Sequence, residues 1–421
     1  MAILTQPASA YEAPATEWAD ETRYVARQPI LDLSGRVHAY ELLFRAGPEK
    51  AFRGDGDKAT RTMLDNAVMY GLEKLTGGMP AFVNCTLEAL TEELVDILPT
   101  GMTVLEILET VEPTPDLIAA CRKLKAEGYR LALDDFVWEP KFDPLVELAD
   151  YIKVDFALTG PAERKRLFKR LRGKPIAMLA EKVETQEEYD QARKEGFTLF
   201  QGYYFCRPVL MKNRKIPSNR MHHFEILSLL QREDIDLDEA TRLMKQDASL
   251  TYRILRLANS PAYATQMEIH SIQAALLMVG EKTFRRIVTL AIASDLNGKQ
   301  PVEILRMAFL RGRFCELTSV QCGLHPDEQY LMGLMSMLPA MLLVPMENLA
   351  PALPLRNEIQ AALMGARNCE RVLLGWLESH ERGDWTACDA VVKANGLSEQ
   401  VMAACYRSAI GWAGAALQLT A

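Results

Sequence analysis

The sequence predicts a chain in two parts: a closed (β/α)8 barrel over residues 23–208, then an all-helical domain over residues 221–421. Three observations carry this prediction. Residues 24–208 alternate short β-rich runs with amphipathic helical segments, at the period of one strand plus one crossover helix. From Met221 onward, apolar residues recur at three-to-four spacing, which is helical periodicity. Between the two, "RPVLMKNRKIPSNR" (207–220) holds two prolines, few apolar residues and several positive charges, and reads as a linker over 209–220.

Each element of the first half has a local reason. "YVARQPILDL" and "RVHAYELLFR" are strands separated by the turn pair Ser34-Gly35. Six further strand runs follow: "PAFVNC", "TVLEIL", "YRLALDD", "YIKVDF", "PIAMLAEKV" and "FTLFQGYYF". The segment "TPDLIAACRKLKAEG" is an amphipathic helix between two of them. "TQEEYDQARKEG" is another, with Thr185 as its cap, Glu188 three residues on and Gly196 as its stop. The basic run "ERKRLFKRLRGK" (163–174) carries seven cations against one Glu. Its simplest use is as a solvated outer helix with Leu167 and Leu171 turned inward; an anionic-partner patch is the alternative.

Composition bounds the rest. A chain of 421 residues is too long for one ordinary core. With 49% apolar and 25% charged residues it has globular composition. A net charge of −8 lends no support to nucleic-acid binding, which needs a basic face. The eight cysteines include no CxxC pair, so reduced thiols are expected rather than disulfides or zinc. Residues 1–22 have no basic start and no sustained apolar core, and read as a loose tail rather than a signal peptide. The greasiest stretch, "LMGLMSMLPAMLLVPM" (331–346), is too short and proline-broken to span a bilayer. The expected location is the cytoplasm, with no membrane partner.

In a β/α barrel, chemistry gathers at the C-terminal ends of the strands. The polar residues ending the runs are Glu41, Asn84, Glu106, Asp134 with Asp135, Lys153, Glu181 and Gln201. Their spacings after Asn84 are 22, 28, 19, 28 and 20, each about one strand plus one helix. Oxygen donors in that number suit Mg²⁺ or Mn²⁺ rather than zinc. Two such ions sharing a carboxylate would clamp the attacking and leaving oxygens of a phosphodiester displacement. Lys153 could orient the water or neutralise developing charge.

These residues resemble the EAL domain, a bacterial phosphodiesterase family that cuts cyclic di-GMP to a linear dinucleotide. The resemblance rests on "RQPILDLSGRVHAYELLFR", with Glu41-Leu42-Leu43 at the signature triplet, and on "FVNCT", "LEILET", "LALDDF", "YIKVD", "AEKVET" and "QGYYFCRP", over roughly 24–208. It implies a modified TIM barrel whose first strand runs antiparallel. It further implies that Glu41, Asn84, Glu106 and Asp134 hold one metal, and Asp134, Asp135 and Glu181 a second. Glu41, Lys153 and Gln201 would be catalytic, Lys153 and Gln201 positioning the water. Arg45 would meet a ligand phosphate, Gln28 would also touch the ligand, and Glu109 would anchor the loop after the paired aspartates. A homodimer through the barrel is implied as well. The departure is that loop: active members continue Asp-Asp-Phe with Gly-Thr/Ser-Gly, whereas this chain has Val137-Trp138-Glu139-Pro140. Losing both glycines removes positive-φ freedom, and Glu139 adds another negative charge.

The second half, with "LMKQDASLTYRILRLANSPAY" and "IHSIQAALLMVGEKTFRRIV", resembles the HDOD domain, a helical relative of HD phosphohydrolases that has usually lost the metal ligands. Where catalytic relatives would have His-Asp, this chain has Ser336-Met337, so HD-type hydrolysis is not expected. His222-His223 reads as a capping or exposed pair at a helix start, "HPDE" (325–328) as a turn entering a helix, and Asn259-Ser260-Pro261 as a turn. The Met-rich apolar faces read mostly as core, part of them as a partner surface.

The resulting expectation is a cyclic di-GMP signalling protein. Its EAL barrel would bind, and at most slowly hydrolyse, the dinucleotide with divalent metal, while the HDOD half engages a protein partner. The alternatives are an active phosphodiesterase giving the linear dinucleotide, and a ligand-free scaffold.

Overall fold

The computed structural model describes residues 23–46, 72–92, 94–202, 204, 218–231, 237–261, 263, 269–353 and 355–420. The expected tail, residues 209–217 of the expected linker, Cys206 and the Arg45 side chain lie outside the described residues.

Eight strands close into a barrel in sequence order. They are β1 (Arg23–Asp32), β2 (Val37–Ala46), β3 (Ala81–Cys85), β4 (Thr103–Ile107), β5 (Arg130–Leu133), β6 (Tyr151–Asp155), β7 (Ala177–Glu181) and β8 (Leu199–Gln201). Each coincides with one of the expected runs. β1 runs antiparallel to both β2 and β8, and every other pair is parallel, as the resemblance implied. The helix Pro115–Ala126 starts where the Thr114 hydroxyl accepts from the Leu117 amide at 3.3 Å. The helix Gln186–Glu195 carries the reciprocal Thr185/Glu188 capping box and stops at Gly196, whose φ of 109° suits glycine.

The basic run forms the helix Pro161–Leu171, with Leu167 and Leu171 buried as expected. One of its cations departs from the solvated reading. Arg164 is buried, pairs with Glu195 at 2.6 Å and stacks on Phe156 at 3.8 Å. Its aliphatic stem and planar head pack inward while its neighbours stay in water.

One interior layer explains the barrel. Ile30, Ala39, Phe82, Val104, Ala132, Tyr151, Leu179 and Leu199, one residue from each strand, form a single buried cluster. Side chains on a strand alternate faces, so the residue two positions further toward the mouth faces inward as well. Those residues are Gln28, Glu41, Asn84, Glu106, Asp134, Lys153, Glu181 and Gln201. Gln28 precedes Ile30 rather than following its layer residue because β1 runs the opposite way.

The helical half contains the helices Ser218–Leu229, Leu237–Lys245, Ala248–Ala258, Ile272–Val279 and Glu281–Asn297, and further helices to Thr420, as the three-to-four apolar spacing predicts. Asn259 closes its turn by bonding both the amide and the carbonyl of Ile269, at 2.7 and 2.8 Å. "HPDE" leads into the helix Pro326–Met335. Ser336 bonds the Gly333 carbonyl at 2.7 Å and accepts from Arg311 at 3.1 Å, a structural use of the position. The capping or exposed role expected of His222-His223 is corrected for His223. It is buried, with Nε2 3.4 Å from Asp247 and 3.8 Å from Asp295, and burial holds it below the usual histidine range. The seven cysteines among the described residues are all free. Among those residues, too, no single helix is long and apolar enough to cross a membrane. The greasy stretch passes that test only in a pair, Pro326–Leu342 with Met346–Ala352, bent by 110°.

The described residues group into two compact units, and Glu378–Ala390, expected in the helical domain, groups with the strands. The contact is specific: His380 Nε2 donates to the Val25 carbonyl at 3.1 Å and the ring is buried. Burial pulls the His380 pKa down to about 3, against the bond to Val25, which raises it. Above pH 6.5 the imidazole is neutral whether the chain is folded or not. As pH falls below 6.5 the unfolded chain takes up a proton that the folded one refuses until about pH 3, and stability is lost across that window. Relative to His380→Gln, the native chain should lose about 2 kcal/mol more between pH 7 and pH 5 in urea unfolding. Parallel pH dependences for the two proteins would contradict this.

Candidate active site

The register sets the inward-facing polar layer side by side at the mouth. Gln28 stands opposite Glu41, Asn84 beside Glu106, and Gln201 opposite Ile30. At its centre is Lys153, 1% exposed. Its ammonium lies 2.6 Å from Glu106, 2.7 Å from Asp134, 2.8 Å from Glu181 and 3.5 Å from Glu41. Gln201 Nε2 donates to Gln28 Oε1 at 2.9 Å and also to Glu41, fixing that carboxylate from behind. Asn84 Nδ2 approaches Glu41 at 3.5 Å. The Gln28 amide donates in turn to the Glu381 carbonyl at 3.3 Å, within the same compact unit.

One lysine cannot neutralise four carboxylates. Burial, opposed by Lys153 and aided by repulsion from Glu41 and Asp134, holds Glu106 well above the usual carboxylate range. Burial, against Lys153 and with the Asp134 and Glu41 charges, pushes Glu181 up to about 8. For Lys153, burial alone would lower the pKa, but the surrounding carboxylates outweigh it and keep the ammonium charged.

Asp135 sits just outside this layer. Its φ of 38° is in the left-handed region, which a non-glycine residue adopts only under constraint. The constraint is visible on both sides: the Asp134 amide bonds Ile107 O at 3.0 Å, and the Phe136 amide bonds Lys153 O at 2.9 Å. The other strained residue at the mouth is Lys182, with φ of 55°, whose ammonium reaches Asp155 at 2.5 Å and Asp135 at 3.4 Å. Neither Asp155 nor Lys182 was singled out from sequence. Asp155 is the second polar residue on the inner face of β6, and choosing one polar residue per strand passes over it.

The loop after Asp135 is packed aside rather than laid across the mouth. The Trp138 indole donates to Asp143 at 3.0 Å, and the Arg170 guanidinium stacks on its ring at 3.4 Å. Arg170 also reaches Asp143, at 3.3 Å. Glu139 turns to Lys141 at 3.6 Å, away from the buried carboxylates. Glu109, expected to anchor this loop, is exposed and makes no hydrogen bond or ion pair with it among the described residues. Glu112 makes that link instead, to Lys141 at 3.2 Å. Glu109 leaves the strand end pointing into water, whereas Glu112 lies opposite the turn that begins at Pro140.

The donor set fits hard divalent cations. It consists only of oxygens, carries excess negative charge and includes buried oxygens that accept no hydrogen bond: Asn84 Oδ1, Glu106 Oε2 and Asp135 Oδ1. As the side chains stand, the carboxylates close on Lys153, and no group of three or more His, Cys, Asp or Glu among the described residues is spaced around a common point. A cation would have to draw Glu106 and Asp134 off the ammonium.

Residues 80–208 match the family model of the EAL domain and residues 216–379 that of the HDOD domain. The cyclic di-GMP phosphodiesterase CdgJ of Vibrio cholerae is 35% identical over 372 residues, which is 86% of this chain and 86% of that protein. The chain belongs to the EAL–HDOD family. The protein YuxH of Bacillus subtilis, 33% identical over 400 residues, covers 92% of this EAL–HDOD chain and 97% of its own length. The EAL match begins at residue 80, so β1 and β2, with Gln28 and Glu41, stand outside it yet complete the barrel. Among solved structures, the EAL domain of DcpA from Mycobacterium smegmatis is 20% identical. That similarity covers 43% of this chain and 90% of that one, with a TM-score of 0.36. The FimX EAL domain from Pseudomonas aeruginosa, bound to c-di-GMP, is also 20% identical, covering 44% and 89%, with a TM-score of 0.35.

Proposed function

We propose that the barrel hydrolyses cyclic di-GMP to its linear dinucleotide in a divalent-cation-dependent reaction, and that the HDOD half regulates it or docks a protein partner. The observation that carries this is the inward-facing layer itself: eight strands contribute eight polar side chains to one mouth, four of them carboxylates around a buried lysine. Glu41, Asn84, Glu106 and Asp134 would hold one Mg²⁺ or Mn²⁺, and Asp134, Asp135 and Glu181 the other. Bound cations would supply Lewis-acid chemistry, polarising the phosphoryl oxygens and acidifying the attacking water.

The chain's own groups do the rest. Water attacks phosphorus, the bond to the 3′ oxygen breaks, and that oxygen leaves with a proton. Lys153, held charged by its neighbours, can donate to the water and offset charge developing on the phosphoryl oxygens. Gln201 keeps Glu41 aimed into the mouth, and Gln28, which accepts from the same Gln201 amide, would touch the ligand. Arg45, beyond Glu41 on β2, would meet a phosphate.

A binding-only reading keeps one observation on its side: the loop after Asp135 lacks glycine and is pinned by Trp138. Hydrolysis decides between them. Purified protein with cyclic di-GMP and Mn²⁺ should yield linear dinucleotide by chromatography, with Glu41→Ala lowering the rate by about a hundredfold or more. A folded protein that binds the dinucleotide in calorimetry but gives no product would establish the sensor reading instead.

A further inference from the structure

The helical unit holds a cavity of about 780 Å³ that the proposed function does not use. That is the size of ordinary small-molecule sites. Its basic edge comes from the segment "KTFRR" at the start of the helix Glu281–Asn297. Lys282, Arg285 and Arg286 follow i, i+3, i+4 spacing, which sets three cations on one face of the first two turns. This is the positive end of the helix dipole, where cations are unfavourable and an anion is stabilised. The first turn of a second helix, Pro326–Met335, lines the same cavity through Asp327 and Glu328.

The local acids leave part of this charge unanswered. Glu281 is taken by Arg285, Glu328 by Arg356 at 2.7 Å, and Glu316 by the Nη2 of Arg286 at 2.5 Å. The Arg286 guanidinium stacks at 3.9 Å over the ring of Tyr330, a residue 4% exposed, and the two side chains also interact through a hydrogen bond, so among the described residues Lys282 is the lining cation left without an ion pair. The remaining lining acid, Asp327 in the first turn of the second helix, is exposed to water and pairs with none of these cations. The lining also has an apolar part, Leu331, Leu355 and Ile359.

We infer that this cavity binds a small phosphomonoester with a flat apolar or heterocyclic body, the phosphate on Lys282 and Arg286 and the body against Leu355 and Ile359. Two helix N-termini and several cations favour a doubly charged headgroup over a carboxylate, and the apolar part of the lining calls for more than a free anion. This inference stands apart from the barrel reading.

The test is titration calorimetry on the full chain with phenyl phosphate, GMP, inorganic phosphate and benzoate as probes. Phenyl phosphate or GMP should bind, and at roughly 5 mM should raise the thermal midpoint. Lys282→Glu, a change at an exposed position, should weaken that binding by about tenfold or more with the circular dichroism unchanged, and Lys282→Arg should retain it. Three results would each overturn the inference: no binding by either organic phosphate, affinity unaltered in Lys282→Glu, or inorganic phosphate or benzoate binding as tightly as phenyl phosphate.

Discussion

Replacing Lys153 with Met is expected to lower the unfolding free energy of the metal-free protein by about 3 kcal/mol or more. The side chain is 1% exposed and is the only cation touching Glu106, Asp134, Glu181 and Glu41 among the described residues. Without it, carboxylates buried to between 0 and 15% exposure face one another with no counter-charge. They can relax only by holding protons, so the loss should shrink as pH falls from 8 through the acid range, Glu181 already lying near 8. Added Mn²⁺ should stabilise the variant more than the native chain, because a dication can take over the neutralisation. Urea unfolding with and without Mn²⁺ checks both statements. A variant as stable as the native protein without metal, or indifferent to Mn²⁺, would show that the cluster needs no cation.

Gly202→Ala is expected to cost about 3 kcal/mol or more and to remove most of the proposed turnover. Gly202 follows Gln201 with φ of 139°, and an added Cβ would lie 2.1 Å from the Val183 carbonyl oxygen and 2.6 Å from its nitrogen. These are backbone atoms, already bonded: the Val183 amide to Gln201 O at 3.0 Å, and Tyr204 N to Val183 O at 3.1 Å. Relief requires the loops after β7 and β8 to separate, which displaces Gln201 from Glu41. Gly101→Ala is the control, since nothing lies within 4 Å of its added Cβ. It should stay within about 0.5 kcal/mol of the native chain. Equal stabilities of the two variants in urea would refute the argument.

The site was legible in the sequence where strand alternation controls it. Phe82 then Asn84, Val104 then Glu106, and Leu179 then Glu181 share a face by the period of two, so listing polar strand ends recovers the inner layer. The antiparallel first strand had to come from family resemblance, since periodicity does not report strand direction. Asp155 was passed over although the same period places it above Lys153. What sequence could not show depends on loops and distant contacts. Lys182 acts through a left-handed backbone, Glu112 rather than Glu109 meets the turn, and Glu378–Ala390 leaves the helical unit for the strands because His380 finds Val25 some 355 positions away. No local pattern encodes such a pairing.

The pinned Trp138 loop has a consequence for timing. Swinging over the mouth would require the indole to give up Asp143 and the guanidinium face of Arg170 together, and its Val-Trp-Glu-Pro sequence offers no glycine hinge. Among the described residues, this loop therefore adds no moving cover, and a dinucleotide bound at the mouth would enter and leave without waiting for it to open, so this segment would store no memory of an earlier ligand level.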